Sequence, residues 1–148
     1  MGKKLLAVAS AGGHLVQLLR LVPAFGSEFF LVSTSLCPPK TIDKSRYLYV
    51  EDCNADEYLK VFKCFVSCLK IVLKHKPKIV ITTGAAPGLL ILIAAKLVGA
   101  KCIWFDSIAN TEELSLGGKV AKYLTKDCFS QWEHVAKAEN VRFIGSVL

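Results

Sequence analysis

Short apolar runs alternate with longer stretches of helical spacing along the whole chain. Residues 4–9 (KLLAVA) are the first run, and Leu15, Leu18, Leu19 and Val22 after it recur at helical spacing, predicting a strand and then a helix over 13–22. Residues 28–33 (EFFLVS) form a continuous apolar run of the kind buried on both faces of a parallel sheet. A loop carrying Pro38-Pro39 leads to a third strand over 46–50, and a long helix is expected over 56–75. Strands over 78–83 (KIVITT) and 101–105 (KCIWF) flank a helix over 87–98. Short helices over 117–124 and 132–137 then alternate with strands over 127–130 and 141–144. Such alternation predicts an α/β fold, a Rossmann-like parallel sheet with right-handed crossovers and helices on both faces, as one domain over residues 1–148.

Two strand-to-helix junctions are built from small residues. In Ser10-Ala11-Gly12-Gly13-His14-Leu15, the absence of Cβ atoms at Gly12 and Gly13 lets the backbone turn sharply beside a bound group. The free N–H groups of the helix that follows favour an anion, typically a phosphate. His14 sits in the first turn, placed to donate to a phosphate or to take a proton from a hydroxyl. The full G-x-G-x-x-G fingerprint is absent. Gly84-Ala85-Ala86-Pro87-Gly88 is the second such junction. The 101–105 strand delivers Asp106-Ser107 at its carboxyl end, where open α/β sheets bind ligands. That position serves chemistry and the capping of the next turn equally well.

The 56–75 helix carries Lys60, Lys63, Ser67, Lys70 and Lys74 at spacings of three and four, a basic stripe beside a wide apolar side. The stripe reads as a solvated face or as a membrane surface. The 87–98 helix is apolar nearly all round, so it is buried or partly sunk in lipid. Hydrophobic residues make up 53% of the 148, with 19 basic against 12 acidic side chains, a net charge of +7. That excess points to an anionic surface or substrate. Nucleic acid is not expected, because no basic cluster is interleaved with aromatics. No apolar run reaches the roughly 18–20 residues of a membrane span. The start MGKKLLAVASA mimics a secretion signal, but its apolar core of about five residues falls short of the 7–15 required, and Leu6 breaks a myristoylation motif. The six cysteines lack metal-ligand spacing and read as reduced, buried thiols, and neither a metal nor a cofactor is expected.

Five stretches together resemble the amino-terminal half of GT-B glycosyltransferases acting on lipid-linked acceptors, and above all the acceptor-side subunit of two-part transferases. They are Ser10-Ala11-Gly12-Gly13-His14-Leu15 with Gln17-Leu18-Leu19, Lys76 to Gly84, Asp106-Ser107-Ile108-Ala109-Asn110, Leu114-Ser115-Leu116-Gly117-Gly118-Lys119, and Gln131-Trp132-Glu133. The third departs from the family's Glu-Ser-x-Ala-Arg pattern in having Asp106 and Asn110.

The resemblance implies a membrane-associating subunit that binds a lipid-diphosphate-linked saccharide, as in capsule, exopolysaccharide or lipid-linked oligosaccharide synthesis. A second polypeptide would supply the UDP-sugar site, and the isolated chain would be inactive. Gly12, Gly13 and His14 would hold the acceptor diphosphate, His14 or Asp106 would act as base, and Ser10, Gly84, Ser107 and Asn110 would line the cleft. Lys60, Lys63, Lys70 and Lys74 would face the membrane, with the protein attached peripherally on the cytoplasmic side. Two rivals remain. One is a non-catalytic adaptor recruiting the partner. The other is a stand-alone dinucleotide-binding domain, which requires an acid at the end of the second strand, where this chain has Ser33-Thr34-Ser35.

Overall fold

A computed structural model describes residues 4–147. Met1 to Lys3 and Leu148 lie outside that range, and with them the signal-like charge, the myristoylation site and the chain end. The apolar core of the signal-like start, Leu5–Ala9, is the central strand β1, buried along its whole length. The remaining strands are β2 (Phe29–Ser33), β3 (Tyr47–Tyr49), β4 (Ile79–Thr82), β5 (Lys101–Phe105) and β6 (Cys128–Phe129). All pair in parallel, in the order β3-β2-β1-β4-β5-β6. The helices are α1 (Gly13–Leu21), α2 (Tyr58–His75), α3 (Ala85–Leu97), α4 (Leu116–Leu124) and α5 (Glu133–Glu139).

Alternate side chains of β1 feed two cores, as the period of a strand requires. Leu5, Ala7 and Ala9 pack with Leu15 and Leu18 of α1 and with Leu31 and Ile81. Leu6 and Val8 pack on the other face with Cys64, Cys68 and Val72 of α2, Ile91 and Leu92 of α3, Trp104 and Ala121. Helices therefore cover both faces, as the alternation predicts. Helix α3 sits so close to the sheet that a Cβ at Gly88 would overlap the Thr82 hydroxyl.

Several boundaries differ by one or two residues from the sequence reading, and three of the differences matter here. Helix α3 starts at Ala85, two residues before Pro87, because proline in a first turn forfeits no intrahelical hydrogen bond. The strand expected over 127–130 shortens to two residues. The final strand expected over 141–144 does not form. Only an isolated bridge joins Arg142 to Phe129, and the chain then leaves the sheet edge.

Candidate functional site

Strand order reverses between β1 and β4, and the turns leaving these two strands meet there. Both turns rest on glycine at positive φ, Gly12 at 92° and Gly84 at 127°, conformations that L residues rarely adopt. Ala85 follows at φ 68°, a left-handed setting that costs a non-glycine residue about 1–2 kcal/mol. Neither α1 nor α3 has a side-chain cap or an acid in its first turn. Two sets of free N–H groups thus open at the switch point, where a phosphate is best received.

His14 locks the two turns together. Its Nδ1 lies 2.9 Å from the Thr83 carbonyl oxygen, and the Thr83 hydroxyl donates to the His14 carbonyl at 2.7 Å. A carbonyl only accepts, so Nδ1 is the donor in this contact, and Nε2 is the ring nitrogen not engaged by Thr83. The imidazole lies over Gly84, where a Cβ would come within 2.9 Å of His14 Cε1. Glycine at 84 is therefore required twice, for the backbone angle and for the ring above it. His14 is half-buried, while Gly12 and Gly13 are open to solvent.

Asp106 lies in a different network. It is 1% exposed. Its Oδ1 accepts from Trp104 Nε1 at 2.9 Å and Ser115 Oγ at 2.5 Å; its Oδ2 accepts from Asn110 Nδ2 and the Ser115 amide, both at 3.0 Å. Four donors occupy both oxygens and close the loop between β5 and α4. Ser115 in turn caps α4 by accepting from the Gly118 amide at 2.9 Å. Asn110 spends its amide on Asp106. The Ser107 hydroxyl accepts from the Ala109 amide and from Gln17 Nε2, each at 3.2 Å. Ser10 is buried at the end of β1.

The structure thus brings together His14, Gly12, Gly13 and Gly84, and separately Asp106, Ser107 and Asn110. Gln17, one turn after His14, joins the two groups. Its carboxamide oxygen accepts from the Ile108 amide at 3.2 Å and from Gln131 Nε2 at 2.6 Å. Gln131 also donates to the Asp106 carbonyl at 2.9 Å and accepts from the Val147 amide at 2.8 Å. Sequence reasoning passed over Gln17, Thr83 and Gln131 as site residues. The available signal was a polar residue on the buried side of an apolar helix, which needs partners to be tolerated there.

No group of His, Cys, Asp or Glu among the described residues is arranged to hold a metal. Five of the six cysteines are buried, and Cys37 is exposed. Burial pushes the Cys53 and Cys128 thiols up to about 12, which keeps them protonated and non-nucleophilic. On α2, Cys64, Cys68 and Val72 face the core, while Leu59 (80% exposed), Phe62 (65%) and Leu73 (53%) stand outside beside Lys60, Lys63, Lys70 and Lys74. Lys60 pairs with Glu57 at 2.8 Å; among the described residues Lys63, Lys70 and Lys74 have no ion pair. No described helix is long and apolar enough to cross a membrane.

Comparison with known proteins places this architecture. Over 98% of the chain the fold superposes on MurG of Acinetobacter baumannii, at TM-score 0.74 and 12% identity. Over 97% of the chain it superposes on a UDP-N-acetylglucosamine 2-epimerase of Rickettsia bellii, at TM-score 0.72 and 15% identity. The chain spans 45% and 44% of those two proteins, the amino-terminal-type half of a GT-B fold. In sequence it is 26% identical over 163 residues to the mouse UDP-N-acetylglucosamine transferase subunit ALG14, an alignment covering 87% of this chain and 75% of the relative. Residues 32–147 match the family described as oligosaccharide biosynthesis protein Alg14 like, and the chain belongs to that family.

Proposed function

We propose that the protein is the acceptor-binding subunit of a two-part glycosyltransferase, one that passes N-acetylglucosamine from its UDP conjugate to a lipid-diphosphate-linked saccharide. Family membership and the mouse relative's designation as a transferase subunit support the reaction class and the need for a partner. The observation that carries the site is the junction of two uncapped helix N-termini beneath the oriented His14 ring.

The acceptor diphosphate lies against the N–H groups of α1 and α3, which offer hydrogen bonds and the positive ends of two helix dipoles. Its sugar hydroxyl faces His14 Nε2. The Thr83 carbonyl holds the ring in the tautomer that accepts a proton and stabilises the imidazolium formed as the hydroxyl attacks the anomeric carbon. The UDP leaving group departs on the partner's side of the cleft. Asp106, saturated by four donors, shapes the loop between β5 and α4 and leaves the base role to His14. The exposed apolar side chains and lysines of α2 rest on the membrane that holds the acceptor's lipid tail.

The test is transfer from UDP-N-acetylglucosamine to a prenyl-diphosphate-linked sugar. The isolated chain is expected to be inactive, and co-purification with its donor-binding partner to give turnover that His14→Ala reduces. Undiminished turnover by a complex carrying His14→Ala would leave the protein a recruiting adaptor.

A further inference from the structure

At the end of the molecule opposite His14, the start of β5 and the carboxyl ends of α3 and α4 enclose a cavity of about 550 Å³ lined by Lys96, Lys101, Lys122, Tyr123 and Lys126. A smaller hollow of about 220 Å³ adjoins it, sharing Lys122 and Lys126 and adding Arg142. Lys101 and Arg142 both pair with Asp127, at 3.5 and 2.5 Å, and Lys122 pairs with Glu139 at 2.9 Å. Lys96 donates to the Leu124 carbonyl, and among the described residues neither Lys96 nor Lys126 meets a carboxylate. Five cations therefore face two carboxylates. The helix carboxyl ends absorb part of the excess, since their free carbonyls attract cations. They leave Lys126 open to solvent.

Tyr123 of the lining is 84% exposed, Leu124 lines the cavity beside it, and Leu97 (71% exposed) directly follows Lys96 in the chain. A free anion has no use for these side chains, whereas a phospholipid offers a phosphate for the lysines and glycerol and acyl groups for Tyr123 and Leu124. Basic pockets between helices suit anionic headgroups in this way. We propose that this cavity binds the headgroup of an anionic glycerophospholipid. The site rests on the membrane reading above but uses none of the α2 lysines. It lies on α3 and α4, which share the α2 side of the sheet.

Titration of the full chain with monomeric dihexanoyl-phosphatidylglycerol, followed by amide NMR shifts, tests it. The amides of Lys96, Lys101, Tyr123 and Lys126 are expected to move, with at least tenfold weaker binding in the Lys96→Gln/Lys126→Gln variant. Dihexanoyl-phosphatidylcholine and inorganic phosphate at equal concentration should each move them far less. Equal response to inorganic phosphate, equal response to the choline lipid, or an unchanged titration in the variant would overturn the site. None of these outcomes touches the α2 surface, which vesicle binding by a variant with Lys60, Lys63, Lys70 and Lys74 replaced by Glu tests separately.

Discussion

Replacing His14 with alanine removes the group we propose as base, and transfer by the assembled complex is expected to fall roughly 10²–10⁴-fold. Gly84→Ala is expected to act through the same ring, since its Cβ comes within 2.9 Å of His14 Cε1. It should lower transfer without weakening assembly, and steady-state rates beside co-purification yields check both variants. Asp106→Asn behaves differently. An amide nitrogen in place of Oδ1 or Oδ2 meets donors only, so the variant should lose about 1–3 kcal/mol of stability. Thermal denaturation would show that loss, while a stable protein that had lost only turnover would return Asp106 to the chemistry. The place of His14 between the two turns was legible in the sequence, because it directly follows paired glycines at a helix start. For Asp106 the end of a strand favours a ligand contact and a loop clasp alike, and the hydrogen bonds from Trp104 and Ser115 emerge only once the chain folds.

At the scale of elements, apolar periodicity located the strands and helices, because strands buried on both faces and helices with one wet side leave distinct patterns. It failed at 141–144, where the apolar residues Val141, Phe143 and Ile144 meet no neighbouring strand beyond the Arg142 bridge. The sheet edge there is only two residues long. On α2 the pattern showed a wide apolar side but not which part of it stays outside. Cys64, Cys68 and Val72 take the core, leaving Leu59, Phe62 and Leu73 to solvent. Exposed apolar side chains flanked by lysines fit an anionic membrane, each lysine contributing about 1 kcal/mol near its surface. Replacing Lys60, Lys63, Lys70 and Lys74 with Glu should sharply reduce co-sedimentation with anionic vesicles and leave the circular dichroism unchanged. Equal sedimentation of the variant and the parent would make the stripe a solvated face.

For the whole molecule, the proposed function divides labour between the carboxyl end of the sheet and one helix layer. The carboxyl ends of β1 and β4 carry the two glycine turns, and a buried Gln17–Gln131 bridge ties them to the tail at Val147. The helix layer on the α2 side carries the exposed apolar and basic surface. Sequence showed both halves of this plan as motifs and stripes, yet the links through Gln17, Gln131 and Thr83 depend on distances between residues far apart in the chain. The central claim is that this chain receives the lipid-diphosphate acceptor and not the nucleotide sugar. Calorimetric titration of the isolated protein with a ten-carbon prenyl-diphosphate N-acetylglucosamine, and separately with UDP-N-acetylglucosamine, tests it most directly. The account predicts saturable binding of the first, weakened by Gly84→Ala, and little or none of the second; tighter binding of the UDP-sugar than of the prenyl diphosphate would contradict it.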